Sequence, residues 1–587
     1  MKLRLSKAFA LSLSIAGLLG QMLAVNVQPC VASEQPPAQV SATISSSNDW
    51  WKHAVFYEIY PRSFADSKNS GMGDLKGITS KLDYLHDLGV GAIWLTPCYP
   101  SPQVDFGYDI SDYRTIAPEY GTMEDFDNLV AEAKKRDIKI IMDLVLNHTS
   151  DKHAWFQESK SSKDNPKRDW YIWKDPASPG KPPNNWQACF GHSAWTLDPK
   201  TNQYYYHFFY PEQPDLNWRN PEVRKAMYDV ARFWLDRGVA GFRLDAVGNI
   251  FEDPNLHDDP VLPGKNKLGD LNMVTKYNEN LPEVHDVMAE LRQVIDGYKD
   301  RVLIGETYGG DVEAVSKFYG KNLNEVQLPM NFLFCEIGKL TTNEFRKQVN
   351  PWDNNPAGGW PVWVMSNHDR IRHYDKFGDG KHNDQIAKAA AAVLLTLRGT
   401  PIMYYGEELG MKNRDPERKE DVQDPIGKIG WPEEKGRDGE RTPMQWNSSE
   451  NAGFSTKKPW LPVALNYKDH NVESELKDSN SILNFYRAVI KLRQEQKALA
   501  DGKYIEVNES NPSVFTFLRK LDNECIMVAV NMSPYEQTVD YDLKKAGVDA
   551  ANVIPLVTSP VLQEKTVGLN SVKLGPYGVL IGKISSK

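Results

Sequence analysis

Cysteine is scarce: the chain has five in 587 residues, at positions 30, 98, 189, 335 and 525. None has a close neighbour of its kind, so the paired spacing of a zinc or redox motif is absent. Cys30 leaves with the leader described below. A Cys98–Cys189 bridge stays open, because both segments are placed near the rim of the candidate site; free buried thiols are the preferred reading. A basic excess is also missing. Lys and Arg number 69 against 78 Asp and Glu, for a net charge of −9. It becomes −12 without residues 1–33, which hold Lys2, Arg4, Lys7 and no acid. A chain with no basic stripe has no footprint for a phosphate backbone, so nucleic acid is not an expected partner. There is no internal repeat, and past the amino terminus no apolar run is long enough to span a bilayer. What remains is ordinary globular composition, 41% hydrophobic and 25% charged, which excludes disorder and coiled coil. The length suits several domains and a large core without metal or disulfide staples.

The amino terminus reads as a secretion signal. Met1–Lys7 is basic, Ala8–Val27 is apolar, and Val31-Ala32-Ser33 offers small residues for cleavage after residue 33. A membrane anchor is the alternative, but Gln21, Asn26 and Pro29 break the end of the stretch. Residues 34–49, rich in Pro, Ser and Gln, read as a linker. The expected destination is the periplasm or the medium, with no membrane attachment after cleavage.

From residue 54 onward, strand-like runs alternate with helical patterns. The runs are 54–60, 92–97, 139–148, 241–247, 302–307, 325–332, 362–369 and 401–406. They are nearly continuous in apolar residues, as in a parallel sheet covered on both faces. Helical periodicity lies at 123–136, 221–237, 281–298 and 384–398. Eight strands in this order predict an α/β fold, a (β/α)₈ barrel, with an open doubly wound sheet as the alternative. The barrel is assigned to 50–148 and 220–500. An inserted domain after the third strand occupies 149–219, too long for a plain loop. A second, polar insertion occupies 411–465. A last helix, 482–498, precedes an alternating tail, 501–587, expected to be an antiparallel β-sandwich.

The chemistry collects at the carboxyl ends of the predicted strands, where a barrel of this kind builds its site. Those ends carry Asp143 and His148, Arg243 and Asp245, Glu306, and His368 and Asp369, with Asp105 and Tyr108 after the second strand. Any one of these carboxylates could be a satisfied structural residue. The set, left without partners, would cost several kcal/mol for each buried charge. Arg243 and Asp245 share one side of their strand, so the cation is expected to hold the carboxylate ionised. Glu306 follows an apolar run and is better placed to keep a proton. One ionised and one protonated carboxyl group is what glycosidic bond cleavage requires.

The segments "DLVLNH", "GFRLDAVGN", "IGET" and "SNHD" resemble the four signature regions of the α-amylase family, glycoside hydrolase family 13. "QPDLN" (213–217), "FGYDISDY" (106–113), "FGHSAW" (190–195) and "ERTPMQW" (440–446) are similar to its oligo-1,6-glucosidase and α-glucosidase subfamily. The resemblance covers about 50–585. It implies a retaining, exo-acting α-glucosidase acting on short oligosaccharides. Asp245 is then the nucleophile, Glu306 the acid and base, and Asp369 the stabiliser of the oxocarbenium-like transition state. His148 and His368 would bond the same sugar ring, Arg243 would orient Asp245, and Tyr108 would stack on the ring. Phe190 would line the wall, and Asp105 with Arg441 would close the pocket over the non-reducing glucose. Retention places the carboxyl groups of Asp245 and Glu306 about 5–5.5 Å apart.

Two departures carry expectations. The residue after the nucleophile is often Val in relatives that prefer α-1,6 bonds and Ala or Thr in those that prefer α-1,4 bonds; Ala246 leans toward maltose-like substrates. The loop "DSKNSGMGD" (66–74) resembles the family's acidic loop, but Lys68 and Ser70 replace an oxygen donor and a carboxylate. Calcium takes six to eight oxygen ligands and an ammonium cannot be one. Asp66 and Asp74 alone make a poor calcium site, and no cofactor is expected to be required. A sucrose isomerase or trehalose synthase would share every catalytic residue, although the "RLDRD" loop of the former is missing. A catalytically inactive transporter-associated relative is disfavoured by the intact triad. The oligomeric state is left open.

Overall fold

A computed structural model describes residues 49–353, 355 and 358–586. The leader, and the linker up to residue 48, lie outside the described residues. Eight parallel strands form the first sheet: β1 (Phe56–Ile59), β2 (Ala92–Leu95), β3 (Lys139–Val145), β4 (Gly241–Asp245), β5 (Val302–Gly305), β6 (Leu328–Pro329), β7 (Val362–Val364) and β8 (Thr400–Tyr404). Their hydrogen-bonded order is β6-β5-β4-β3-β2-β1-β8-β7, and β1 closes onto β8 through Phe56↔Ile402. This is the eight-stranded barrel that the apolar runs predicted, with the doubly wound alternative excluded by the β1–β8 pairing. Each run is buried on both faces, which explains its lack of alternation. Phe56, Trp94, Ile141, Ile304, Leu328, Val364 and Ile402 fill the interior.

Helices α1 (Leu82–Leu88), α2 (Met123–Lys135), α3 (Pro221–Asp236), α4 (Val284–Asp296), α5 (Val312–Ser316), α6 (Thr342–Asp353), α7 (Asn383–Thr396) and α8 (Ile482–Glu495) follow the eight strands in turn. Local sequence sets several starts. Thr122 and Asp125 form a capping box before α2, and Asn220 caps α3 with Pro221 at its first position. Among the described residues no helix is long and apolar enough to cross a membrane.

Between β3 and α3, residues 149–219 carry a small antiparallel sheet of Trp173–Lys174, Gln203–Tyr206 and Trp195–Asp198, packed on Trp186 and Ile172. The stretch after β4 contains a hairpin, Val261–Lys265 with Leu271–Met273, that the periodicity did not predict. Its side chains are mostly exposed, so no apolar alternation marks it. Residues 411–465 have little regular structure beyond Pro425–Gly430. The tail folds as a six-stranded antiparallel sheet whose core is covered by the ribbon Gln537–Val539 with Val572–Leu574. Cys98 and Cys189 are not bridged. Both are free thiols, Cys98 buried and Cys189 exposed, so the preferred reading of buried thiols fails at Cys189.

Candidate active site

Strand register builds the centre of the site. Asp143 on β3 pairs with Arg243 on β4, and Arg243 pairs with Ile304 on β5. Arg243 is completely buried. Its Nη1 donates to both Asp143 oxygens at 3.0 Å and to Asp245 Oδ1 at 2.7 Å, and its Nη2 lies 2.8 Å from Glu306 Oε1. One guanidinium therefore gathers three carboxyl groups from three adjacent strands. Its carbon sits 5.0 Å above the Trp94 ring, whose Nε1 donates to Asp143. Three carboxyls around one cation cannot all ionise cheaply. Burial first, then repulsion from Glu306 and Asp143, raises the Asp245 carboxyl well above its usual range against the pull of Arg243. Burial pushes Asp143 up to about 6. The expectation that Arg243 simply fixes Asp245 as a carboxylate is corrected here: one arginine shared three ways does not offset burial and two acidic neighbours.

Glu306 is held from a second direction. Ala246 takes a left-handed turn, φ 46°, ψ 42°, immediately after Asp245, and this aims its N–H at Glu306 Oε2, 2.8 Å away. A non-glycine residue in that region carries roughly 1–2 kcal/mol of strain, kept here where it holds the Glu306 carboxyl group. Tyr308 OH donates to Glu306 Oε1 at 3.1 Å.

The third carboxylate lies across the cavity. Asp369 Oδ1 accepts from Arg437 Nη1 at 3.0 Å and from Arg441 Nη2 at 2.6 Å. Burial alone would raise this carboxyl, but His368, Arg437 and Arg441 outweigh it and hold it well below the usual range. His368 spans 2.6 Å to Glu58 and 2.8 Å to the Tyr108 hydroxyl, and the Tyr108 and His368 rings stack at 5.3 Å. Tyr108 also donates to Asp143. His148 lies 3.2 Å from the Tyr108 carbonyl, and burial lowers its imidazole to about 3, so it is neutral.

Asp105 and Arg441, the two residues expected to close the pocket over the glucose, have different partners. Asp105 Oδ1 is bonded at 2.7 Å to Arg437, whereas Arg441 sits on Asp369 and on the His368 carbonyl. Arg437 joins Asp105, Asp369 and Asp424, and Asp424 in turn fixes it through Nε at 2.7 Å. Burial raises Asp424, but Arg437 overrides this and leaves it at about 2. Gln213, from "QPDLN", donates to the other Asp105 oxygen. Sequence reading missed Arg437, Asp424, Gln213 and Glu58. The signal for Arg437 was a charge deficit: Asp105 and Asp369 needed a second cation beside Arg441. Phe190 stacks on Tyr210 at 4.4 Å, and the Arg437 guanidinium lies 5.1 Å from the Phe190 ring.

A cavity of about 880 Å³ brings together Asp105, Tyr108, His148, Phe190, Asp245, Ala246, Glu306 and Asp369. Arg243, His368 and Arg441 stand behind this wall and position it. The loop 66–74 lies elsewhere. Asp74 accepts from Ser67, Lys68 and Gly77 N–H groups, and Asp66 from Lys68, Gly71 and the Ser455 hydroxyl. Lys68 Nζ donates to the carbonyls of Pro118 and Glu119. Both carboxylates are already engaged by donors, which does not fit a calcium ion.

Residues 58–502 match the α-amylase catalytic domain and residues 504–581 the maltogenic amylase C-terminal domain. The chain belongs to the α-amylase family. It is similar to an oligo-1,6-glucosidase of Heyndrickxia coagulans, 42% identical over 84% of this chain and 94% of that one. It is 41% identical to a probable α-glucosidase of Rhizobium meliloti, over 86% and 93%. Trehalulose synthase MutB from Pseudomonas mesoacidophila MX-45 superposes with a TM-score of 0.83 at 38% identity, covering 91% of this chain and 99% of that one. The chain is a glycoside hydrolase of the α-glucosidase type.

Proposed function

We propose that this hydrolase is a retaining, exo-acting α-glucosidase that removes the non-reducing terminal glucose of short α-glucosides, α-1,4-linked in preference. The observation that carries the reading is the convergence of Asp245 and Glu306 on one guanidinium, in a cavity also lined by Asp105, Arg437 and Asp369, which Arg437 ties together. The Asp245 carboxylate attacks the anomeric carbon while Glu306 gives its proton to the departing oxygen. The bond to the leaving sugar breaks and a β-glucosyl-Asp245 ester forms. Glu306 then takes a proton from water, which attacks the same carbon, expels Asp245 and restores the α-configuration. Asp369, anionic between two arginines, stabilises the positive charge on the ring. Product analysis on maltose, isomaltose, sucrose and trehalose tests the reading. The likeness to trehalulose synthase supports one alternative, a transglucosylase in which a sugar replaces water. Conversion of sucrose into a new disaccharide with little free glucose would select it.

The linkage preference rests on Ala246, which lines the cavity beside the nucleophile. Ala246→Val is expected to raise the isomaltose-to-maltose ratio of kcat/KM by about tenfold, the effect of one or two methyl groups in a tight subsite. It should also lower stability by about 1–2 kcal/mol, because a branched side chain is poorly tolerated at positive φ. An unchanged ratio removes Ala246 from the argument. No metal enters the proposed chemistry. Exhaustive dialysis against EDTA is expected to leave kcat and the thermal midpoint unchanged, since N–H and hydroxyl donors already occupy Asp66 and Asp74; calcium-restored activity would contradict this. We further propose export of the chain through its leader, which mass analysis of the secreted amino terminus checks.

A further inference from the structure

One carboxyl group in the cavity has no task in this chemistry. Glu279, in the stretch between the hairpin and α4, lines the same cavity as Asp245 and Glu306. Among the described residues it makes no hydrogen bond or ion pair, and burial alone raises its carboxyl. Beyond it lies a second chamber of about 270 Å³, lined by Glu279, Asn280, Tyr308, Gly310, Phe332 and Glu336 among others. Glu279, Tyr308 and Glu336 border both spaces. Glu336 has a cation, Arg370, at 3.6 Å, whereas Glu279 has none.

The direction of this chamber follows from Tyr308. Its hydroxyl bonds the acid Glu306, which faces the leaving oxygen, and its ring stacks on Phe332 at 4.6 Å in the chamber wall. The residues proposed to hold the terminal glucose, Asp105, Tyr108, His148 and Arg437, line the larger cavity and not this chamber. The chamber is therefore on the leaving-group side. A half-buried carboxylate with no protein donor is an acceptor awaiting a ligand donor, and sugar hydroxyls are such donors.

We infer that Glu279 is a specificity-determining residue that accepts hydroxyl hydrogen bonds from the leaving sugar, and that the chamber behind Tyr308 receives the next sugar of a trisaccharide. This rests on the α-glucosidase reading. Two variants test it. Glu279→Gln keeps the shape and removes the charge. It should raise KM for maltose and isomaltose about tenfold, with kcat within about threefold. α-Glucosyl fluoride, which has no leaving sugar, should be turned over as by wild type. Gly310 has nothing within 4 Å of where a Cβ would project and no positive φ, so Gly310→Phe is expected to fold and fill the chamber. It should raise KM for a trisaccharide about tenfold and leave disaccharides unchanged. Equal loss on the fluoride and the disaccharides, or no change on any sugar, overturns the role of Glu279. Unchanged trisaccharide kinetics in Gly310→Phe overturns that of the chamber. A wild-type chain that cleaves none of these substrates overturns the underlying reading instead.

Discussion

Asp245→Asn is expected to lower kcat on maltose by about four to six orders of magnitude while leaving the thermal midpoint equal to wild type or slightly higher. The amide keeps the volume and the oxygen that accepts from Arg243 Nη1. It loses the negative charge that attacks the anomeric carbon. The stability sign follows from the raised Asp245 carboxyl, whose charged form burial, Glu306 and Asp143 all penalise against Arg243. A neutral isostere relieves that penalty at any pH where the wild-type group is ionised. The proposed mechanism thus needs a charge here that burial disfavours. Glu306→Gln separates the two steps. With maltose its kcat should fall about 10²- to 10⁴-fold. With α-glucosyl fluoride the first step should survive, because fluoride leaves without a proton, and the glucosyl ester should accumulate. Near-normal turnover by either variant, or a midpoint many degrees lower for Asp245→Asn, refutes the assignment.

Arg243→Lys is expected to cost about 3–5 kcal/mol of stability and about 10³-fold in kcat/KM. A lysine ammonium is a point charge. It cannot reach both Asp143 oxygens, Asp245 and Glu306 at once, as the two terminal nitrogens of Arg243 do. The pH profile gives the sharper test. In the proposed mechanism Asp245 must be ionised to attack, so activity is expected to fall as pH drops through its raised value. The acid limb of wild-type kcat/KM should therefore lie above the ordinary aspartate range near 3.9. A lysine held less closely pulls the Asp245 carboxyl down less, so the limb should move to still higher pH in Arg243→Lys. An acid limb in the ordinary range, unmoved by the substitution, contradicts the shared-cation account.

The barrel was legible because a parallel sheet buried on both faces writes continuous apolar runs, and helices such as Met123–Lys135 and Pro221–Asp236 write their own caps. Asp143, Arg243, Asp245 and Glu306 were legible because they stand at the ends of such runs, where register fixes direction. The hairpin Val261–Lys265 with Leu271–Met273 was not, because its side chains face solvent and carry no burial pattern. Arg437 was hidden for a related reason. It lies in an irregular stretch where neither period nor register says which way a side chain points, and only folding brings it to Asp105, 332 residues away in sequence. Glu58 sits within the apolar run of β1, fully buried, and betrayed itself only as a charge in an apolar strand.

The measurement that tests the central claim most directly is ¹H NMR of the mature chain acting on maltose and isomaltose, followed from the first turnover. The account predicts that free glucose is the main product, that maltose is consumed faster, and that the glucose released from the non-reducing end appears first as the α-anomer before mutarotation. β-Glucose appearing first would show inversion and remove Asp245 as nucleophile. A new disaccharide with little free glucose would leave Asp245 and Glu306 in their roles and contradict the assignment as a hydrolase.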